Sequence, residues 1–142
     1  MPEGLEAEGA KELGNLGAES IQIGRHLVRC KVDLACFYRL HLQARLPFRF
    51  LREISHFRCE SKESLYYSIQ NACHWEKWLD PSKSFRVDVS GGNEELKHTH
   101  FTALHVKNAL IDLQRRIWGF RSDVNLKAPD ICLHLHLYSN NG

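Results

Sequence analysis

Residues 96–137 hold, in order, a long segment with helical hydrophobic spacing, a polar loop, and a segment in strict two-residue alternation. Ala103, Val106, Leu110, Leu113 and Ile117 recur at the three- and four-residue steps of one helix face, and Leu104, Ile111 and Trp118 widen it. Such a stripe packs against a core. The other side carries His98, Thr102, His105, Asp112 and Arg116, with Lys107 and Arg115 at its border. After a loop closed by Ala128-Pro129-Asp130, Leu133, Leu135 and Leu137 alternate with His134 and His136. That sends leucines to one face of a strand and histidines to the other. A long one-sided helix followed by a half-buried strand confines the chain to mixed helix and strand architecture.

The segments before it extend the pattern. Pro2-Glu3-Gly4-Leu5-Glu6 opens a helix, with proline near the first turn and acids where the macrodipole favours them. Leu5, Leu13 and Leu16 give it an apolar side, and Gly17 suits its stop. Ile21 and Ile23, then Leu27, Val28, Cys30 and Val32, read as two strands around a turn near Gly24-Arg25. Asp33 caps a helix over residues 34–44 with Leu34, Phe37, Tyr38 and Leu42 at apolar positions, ended by Pro47. Residues 48–59 read as extended. Ser61 and Ser64 cap a further helix through Leu65, Tyr66, Ile69 and Cys73, and Trp75 and Trp78 bracket a turn ending at Asp80-Pro81. Phe85, Val87 and Val89 form a half-buried strand. Ser90-Gly91-Gly92-Asn93 is then a loop leading into the long helix near His98.

Charge is unevenly spread. The chain of 142 residues carries a formal +2. Residues 1–24 hold five acids against Lys11, whereas residues 25–62 hold nine lysines and arginines against Asp33, Glu53 and Glu60. A basic segment of that kind suits a polyanion, and it equally suits a solvated face. The five cysteines are scattered, never in a C-x-x-C pair, and read as small buried hydrophobes in a reducing cytoplasm. No apolar run approaches the roughly 20 residues that cross a bilayer, so no membrane association is expected.

Catalytic signatures are missing from the sequence. It has no G-x-G-x-x-G loop, no Walker-type lysine loop and no G-x-S-x-G elbow. His134 and His136, with His98 and His100, are the one constellation that suggests a metal. No carboxylate or cysteine is spaced to complete it, so a satisfied structural pair and no metal is the expectation. Around the long helix, Asn93, Lys97, His98, Lys107, Arg115 and Arg116 are the candidate nucleic-acid contacts. Glycine-loop N–H groups and a helix N-terminus lie beside them, and both are natural partners of phosphate.

The strand and loop of residues 85–93, the helix string Leu104-His105-Val106-Lys107-Asn108-Ala109-Leu110-Ile111-Asp112, and the loop of residues 121–130 resemble, in order and spacing, the THUMP domain of bacterial large-subunit rRNA guanine-N2 methyltransferases. His105 and Asn108 stand where that family often has arginine or methionine and aspartate. The resemblance implies an α+β chain: a partial ferredoxin-like unit over residues 1–60 lacking its first strand, then a partial THUMP domain over residues 61–142 lacking its last. Met1 falls where a first strand should end. Ser139-Asn140-Asn141-Gly142 reads as a hairpin turn with no returning strand, leaving residues 131–137 an open edge. A fragment of a longer enzyme is the expectation.

The resemblance implies that the chain holds structured, ribosomal RNA in the cytoplasm for its own methyltransferase domain. That domain would bind S-adenosylmethionine, and no cofactor is expected in this chain. The family's amine-holding motif is an Asp or Asn followed by two prolines and an aromatic; Asp80-Pro81-Ser82 lacks the second proline and the aromatic. The chain alone is therefore expected to be non-catalytic. The rival reading is a protein-interaction module using the same helix and strand edge.

Overall fold

The computed structural model describes residues 1–138 and 141–142. The chain divides into two compact units, Met1–Arg52 and Glu53–Gly142. The sequence pattern suggests a division after residue 60. Residues 53–60 instead belong to the second unit, because Cys59 is buried in its core and Ile54 and Phe57 lie against it.

The first unit runs α1 (Glu6–Asn15), β1 (Glu19–Gly24), β2 (Leu27–Lys31) and α2 (Leu34–Gln43). Glu6 anchors the entry to α1: its carboxylate accepts from the N–H groups of Gly4 (2.8 Å) and His26 (3.0 Å). Gly17, at φ +98°, lets the chain reverse after the helix. β1 and β2 form an antiparallel hairpin closing at Gly24 opposite Leu27. The Asp33 side chain accepts from Cys36 N–H at 2.7 Å, capping α2 as expected. Leu13, Ala18, Cys36 and Leu40 are the buried core.

Three expectations around α2 fail. Leu34, Phe37, Tyr38 and Leu42 are all exposed, and α2 buries Cys36 and Leu40 instead. The helix is apolar on most of its circumference, so spacing alone could not select the face that meets the core. Residues 48–59 form no strand; Arg58 makes only an isolated bridge with Asn141. Nor does Pro47 end α2. Ala44 is already extended, and Glu12 accepts from the N–H groups of Arg45 (2.9 Å) and Leu46 (3.1 Å), drawing the chain out of the helix before the proline is reached.

The second unit runs α3 (Lys62–Asn71), a 3-10 turn at Trp75–Lys77, β3 (Phe85–Gly92), α4 (Thr99–Trp118) and β4 (Ile131–Tyr138). Ser61 and Ser64 form a reciprocal capping box at the start of α3. β3 and β4 pair in parallel over eight residues, Phe85 with Ile131 through Gly92 with Tyr138, so α4 is the crossover that parallel pairing requires. Phe85, Leu135 and Leu137 are buried with Val106, Ala109, Leu110, Ile111 and Leu113 of α4. The stripe is shifted from the expected one: Thr102 and Gln114 are buried, while Ile117 is 42% exposed. Both of these buried polar side chains are satisfied. Thr102 donates to His98 O (3.1 Å), and Gln114 exchanges bonds with Ser122 through Nε2 (2.8 Å) and Oε1 (2.9 Å).

Ser90, Gly91 and Gly92 belong to β3 and not to a loop. Gly91 has φ +77°, and a Cβ there would sit 1.9 Å from the Leu137 carbonyl oxygen. The glycine is needed for close approach of β4. At the other end of the sheet, Asp130 accepts from the Ser84 N–H and hydroxyl, both at 2.8 Å. Part of the expected terminal turn, Ser139 and Asn140, lies outside the described residues. Tyr138 and Asn141 exchange two backbone bonds across it, and Phe57 and Gly142 exchange two more.

Leu110→Ala should cost about 2–5 kcal/mol in chemical denaturation. Gly91→Ala should cost at least about 1–3 kcal/mol from backbone strain alone. A stable Gly91→Ala chain would mean that β3 and β4 do not approach as closely as described. The hydrogen bonds from Ser84 hold the Asp130 carboxyl below its ordinary range. Its contribution is thus present at neutral pH and lost as pH falls through that lowered value. The thermal-stability gap between the parent and Asp130→Ala should hold near neutrality and shrink as pH drops below about 3.9.

Candidate nucleic-acid interface

The start of α4 brings together groups that the sequence keeps apart. A cavity of about 210 Å³ lies there, with Leu96 and Thr102 in its lining and Lys62, His98, Phe101 and His105 around it beside Glu95. Lys62 comes from the first turn of α3, which tertiary packing places against α4. His98 is the N-cap residue of α4, yet its side chain makes no capping bond, and no acid sits in the first turn. Phe101 is 61% exposed and meets the rings of His98 and His100 edge-on at 6.1 and 6.2 Å. Glu63 is the neighbouring acid. Its own backbone N–H and the Ser61 hydroxyl hold its carboxyl below the usual range, with smaller help from Lys62 and His105. The result is a small cleft with three basic side chains (Lys62, His98 and His105), one acid (Glu95) and an exposed ring.

The sequence-derived contacts do not form one patch. His98 and Lys97 are exposed at the start of α4, and Arg115 and Arg116 are exposed in its last turn. At 1.5 Å per residue, 18 residues put roughly 27 Å between His98 and Arg116. Lys107 and Arg116 are nine residues apart, which turns them to opposite sides of the helix, about 180°. Lys107 is half-buried. The Asn93 side chain is bound within the protein: Nδ2 donates to Cys59 O (3.1 Å), and Oδ1 accepts from the N–H groups of Glu95 (3.1 Å) and Leu96 (2.8 Å). Lys62, His105 and Phe101 are the additions that folding makes to the set. His105 is legible in sequence as part of the polar helix face; Lys62 belongs to the basic segment of residues 25–62, but nothing in the sequence places it beside the long helix.

His134 and His136 share one partner. The Ser90 hydroxyl lies 2.9 Å from Nε2 of His134 and 2.9 Å from Nδ1 of His136. A hydroxyl that donates once and accepts twice serves both rings. Among the described residues, no group of three His, Cys, Asp or Glu is placed to hold a metal ion. Cys36 and Cys59 are buried as expected, but Cys132, on the same sheet face as the two histidines, is exposed. No helix of the described residues is long and apolar enough to cross a membrane.

These features define an α+β protein of two units, the second built on a parallel strand–helix–strand core with basic groups at both ends of its long helix. Residues 61–141 match the THUMP domain, and residues 1–51 match the RlmL ferredoxin-like domain. The chain belongs to the THUMP domain family. It is similar to a Synechocystis sp. protein named as a candidate RNA methyltransferase, 38% identical over 97% of this chain and 36% of that protein. It is also similar to the ribosomal RNA large subunit methyltransferase K/L of Pseudomonas aeruginosa, 37% identical over 96% of this chain and 19% of that protein. The fold is shared with a Listeria monocytogenes crystal structure described as a predicted N6-adenine-specific DNA methylase. That match has a TM-score of 0.79 at 19% identity and covers 98% of this chain and 36% of the other.

Asn93→Ala should lower stability by about 1–3 kcal/mol, since it strands a carbonyl and two N–H groups in a half-buried turn. His98→Gln, at an exposed position, should stay within about 0.5 kcal/mol of the parent. Equal melting curves for Asn93→Ala and the parent would return Asn93 to the pool of free surface contacts.

Proposed function

We propose that this chain binds structured ribosomal RNA and holds it for a guanine-N2 methyl transfer carried out by a separate catalytic domain, in the cytoplasm. The observation that carries the reading is the THUMP match over residues 61–141, joined to similarity across nearly the whole chain with proteins named as large-subunit rRNA methyltransferases. S-adenosylmethionine belongs, in this reading, to the catalytic domain.

The chemistry of the second unit supports an electrostatic grip. Lys62, Lys97, His98 and His105 gather at one end of α4, and Arg115 and Arg116 at the other. Each end neutralises phosphates, and the separation of the two sets the register of a folded RNA too stiff to bend between them. Lys107 contributes little to such a grip because it faces away from Arg116.

Affinity for a radiolabelled rRNA stem-loop should be highest at low salt and fall linearly on a log–log plot of salt. Replacing Lys62, Lys97, Arg115 and Arg116 with glutamine should weaken binding and flatten that slope by roughly 0.7–0.9 for each phosphate no longer neutralised. Lys107→Gln should change it little. A stem-loop that fails to bind at low salt, or binds the quadruple variant equally well, sinks the reading. Micromolar binding of S-adenosylmethionine to this chain in calorimetry would overturn its non-catalytic part.

A further inference from the structure

We infer that the first unit carries a second RNA surface, which takes single-stranded RNA by stacking bases on exposed aromatic rings of α2 and of the segment after it. The inference rests on the RNA-binding reading above and assigns a distinct surface and a distinct form of RNA. Residues 34–52 contain four arginines (Arg39, Arg45, Arg49 and Arg52), four aromatics (Phe37, Tyr38, Phe48 and Phe50) and no acid.

Folding displays this stretch instead of burying it. α2 turns Cys36 and Leu40 into the core, which leaves Leu34, Phe37, Tyr38, His41 and Leu42 on its outer side. Tyr38 is 60% exposed and Phe48 80% exposed. The segment after α2 is fastened at two points. Glu12 takes the N–H groups of Arg45 and Leu46, and the Phe50 ring packs on His41 at 4.5 Å while lying against the core. His41 in turn packs on Phe37 at 4.2 Å, and Phe37 meets Tyr38 at 5.7 Å. Phe48 and Arg49 are therefore held out between two anchors, beside a continuous row of rings.

The occupant follows from charge and shape. A stretch with no acid of its own and with Arg45 and Arg49 exposed fits a polyanion, while the Arg39 guanidinium donates to the Leu16 carbonyl. Exposed rings among those charges gain from unstacked bases, whereas a duplex keeps its base faces covered. Single-stranded RNA satisfies both.

The test uses the full chain with two fluorescent probes, a 12-nucleotide oligouridylate and an rRNA stem-loop, at several salt concentrations. Tyr38→Ala and Phe48→Ala alter exposed side chains, and circular dichroism checks that each variant is folded. Each should weaken oligouridylate binding about five-fold or more, the loss of one stacked base, and leave stem-loop binding unchanged. Arg45→Gln with Arg49→Gln should lower the oligouridylate salt slope by roughly 0.7 for each phosphate released. Oligouridylate affinity unchanged in the alanine variants, with the stem-loop still bound, overturns this inference and leaves the structured-RNA reading standing. Oligouridylate bound through these residues while the stem-loop is not would do the reverse. A dimer that Tyr38→Ala and Phe48→Ala convert to monomer without affecting RNA would give the face to a second copy of the chain and overturn the inference as well.

Discussion

The parallel pairing of β3 with β4 is the constraint that shapes the whole second unit. Parallel neighbours cannot be joined by a tight turn, so a long crossover is obligatory, and α4 supplies it. The helix lies on the sheet face that carries Phe85, Leu135 and Leu137, and its apolar stripe buries them together with Leu65, Ile69, Trp75 and Leu79. Gly91 permits the last pairs of the ladder by keeping a Cβ out of the Leu137 carbonyl. Asp130 ties the far end to Ser84, where the loop after α4 rejoins the sheet. With both ends of the ladder fixed, the start of α4 is delivered to the same place as the start of α3.

That meeting of two helix starts explains why the basic groups gather there. α3 satisfies its own N-terminal donors with the serine capping box and Glu63, whereas α4 has neither a capping side chain nor an acid in its first turn. Unsatisfied N–H groups and a positive dipole end add to Lys62, Lys97, His98 and His105. At the other end, Arg115 and Arg116 suit the negative pole of the helix, so their positions have an intrahelical cause beside any role in binding.

The first unit is organised differently. A single acid of α1, Glu12, withdraws the chain from α2 and starts the segment that displays Phe48 and Arg49. The core beneath is small, four buried residues, and much of the unit's apolar surface stays in solvent.

The sequence alone determined the features that depend on local geometry. Asp33 capping α2, the Ser61–Ser64 cap, Gly17 after α1, and the alternation of β3 and β4 are all legible, because each follows from nearby residues and one repeat period. The order of helix, loop and strand is enough to point to the THUMP family. Tertiary structure decided the rest. Which side of α2 is buried has no local signal, since that helix is apolar nearly all round. The strand expected over residues 48–59 does not form: Glu12 fixes the chain just before it at Arg45 and Leu46, and the Phe50 ring within it packs on His41 of α2. Gly91 and Gly92 have the local composition of a loop, and only the approach of β4, from far along the chain, makes them strand. Lys62 joins the candidate site and Asn93 leaves its exposed surface for the same reason. A side chain's partners among residues distant in sequence are set by packing, and no local pattern encodes them.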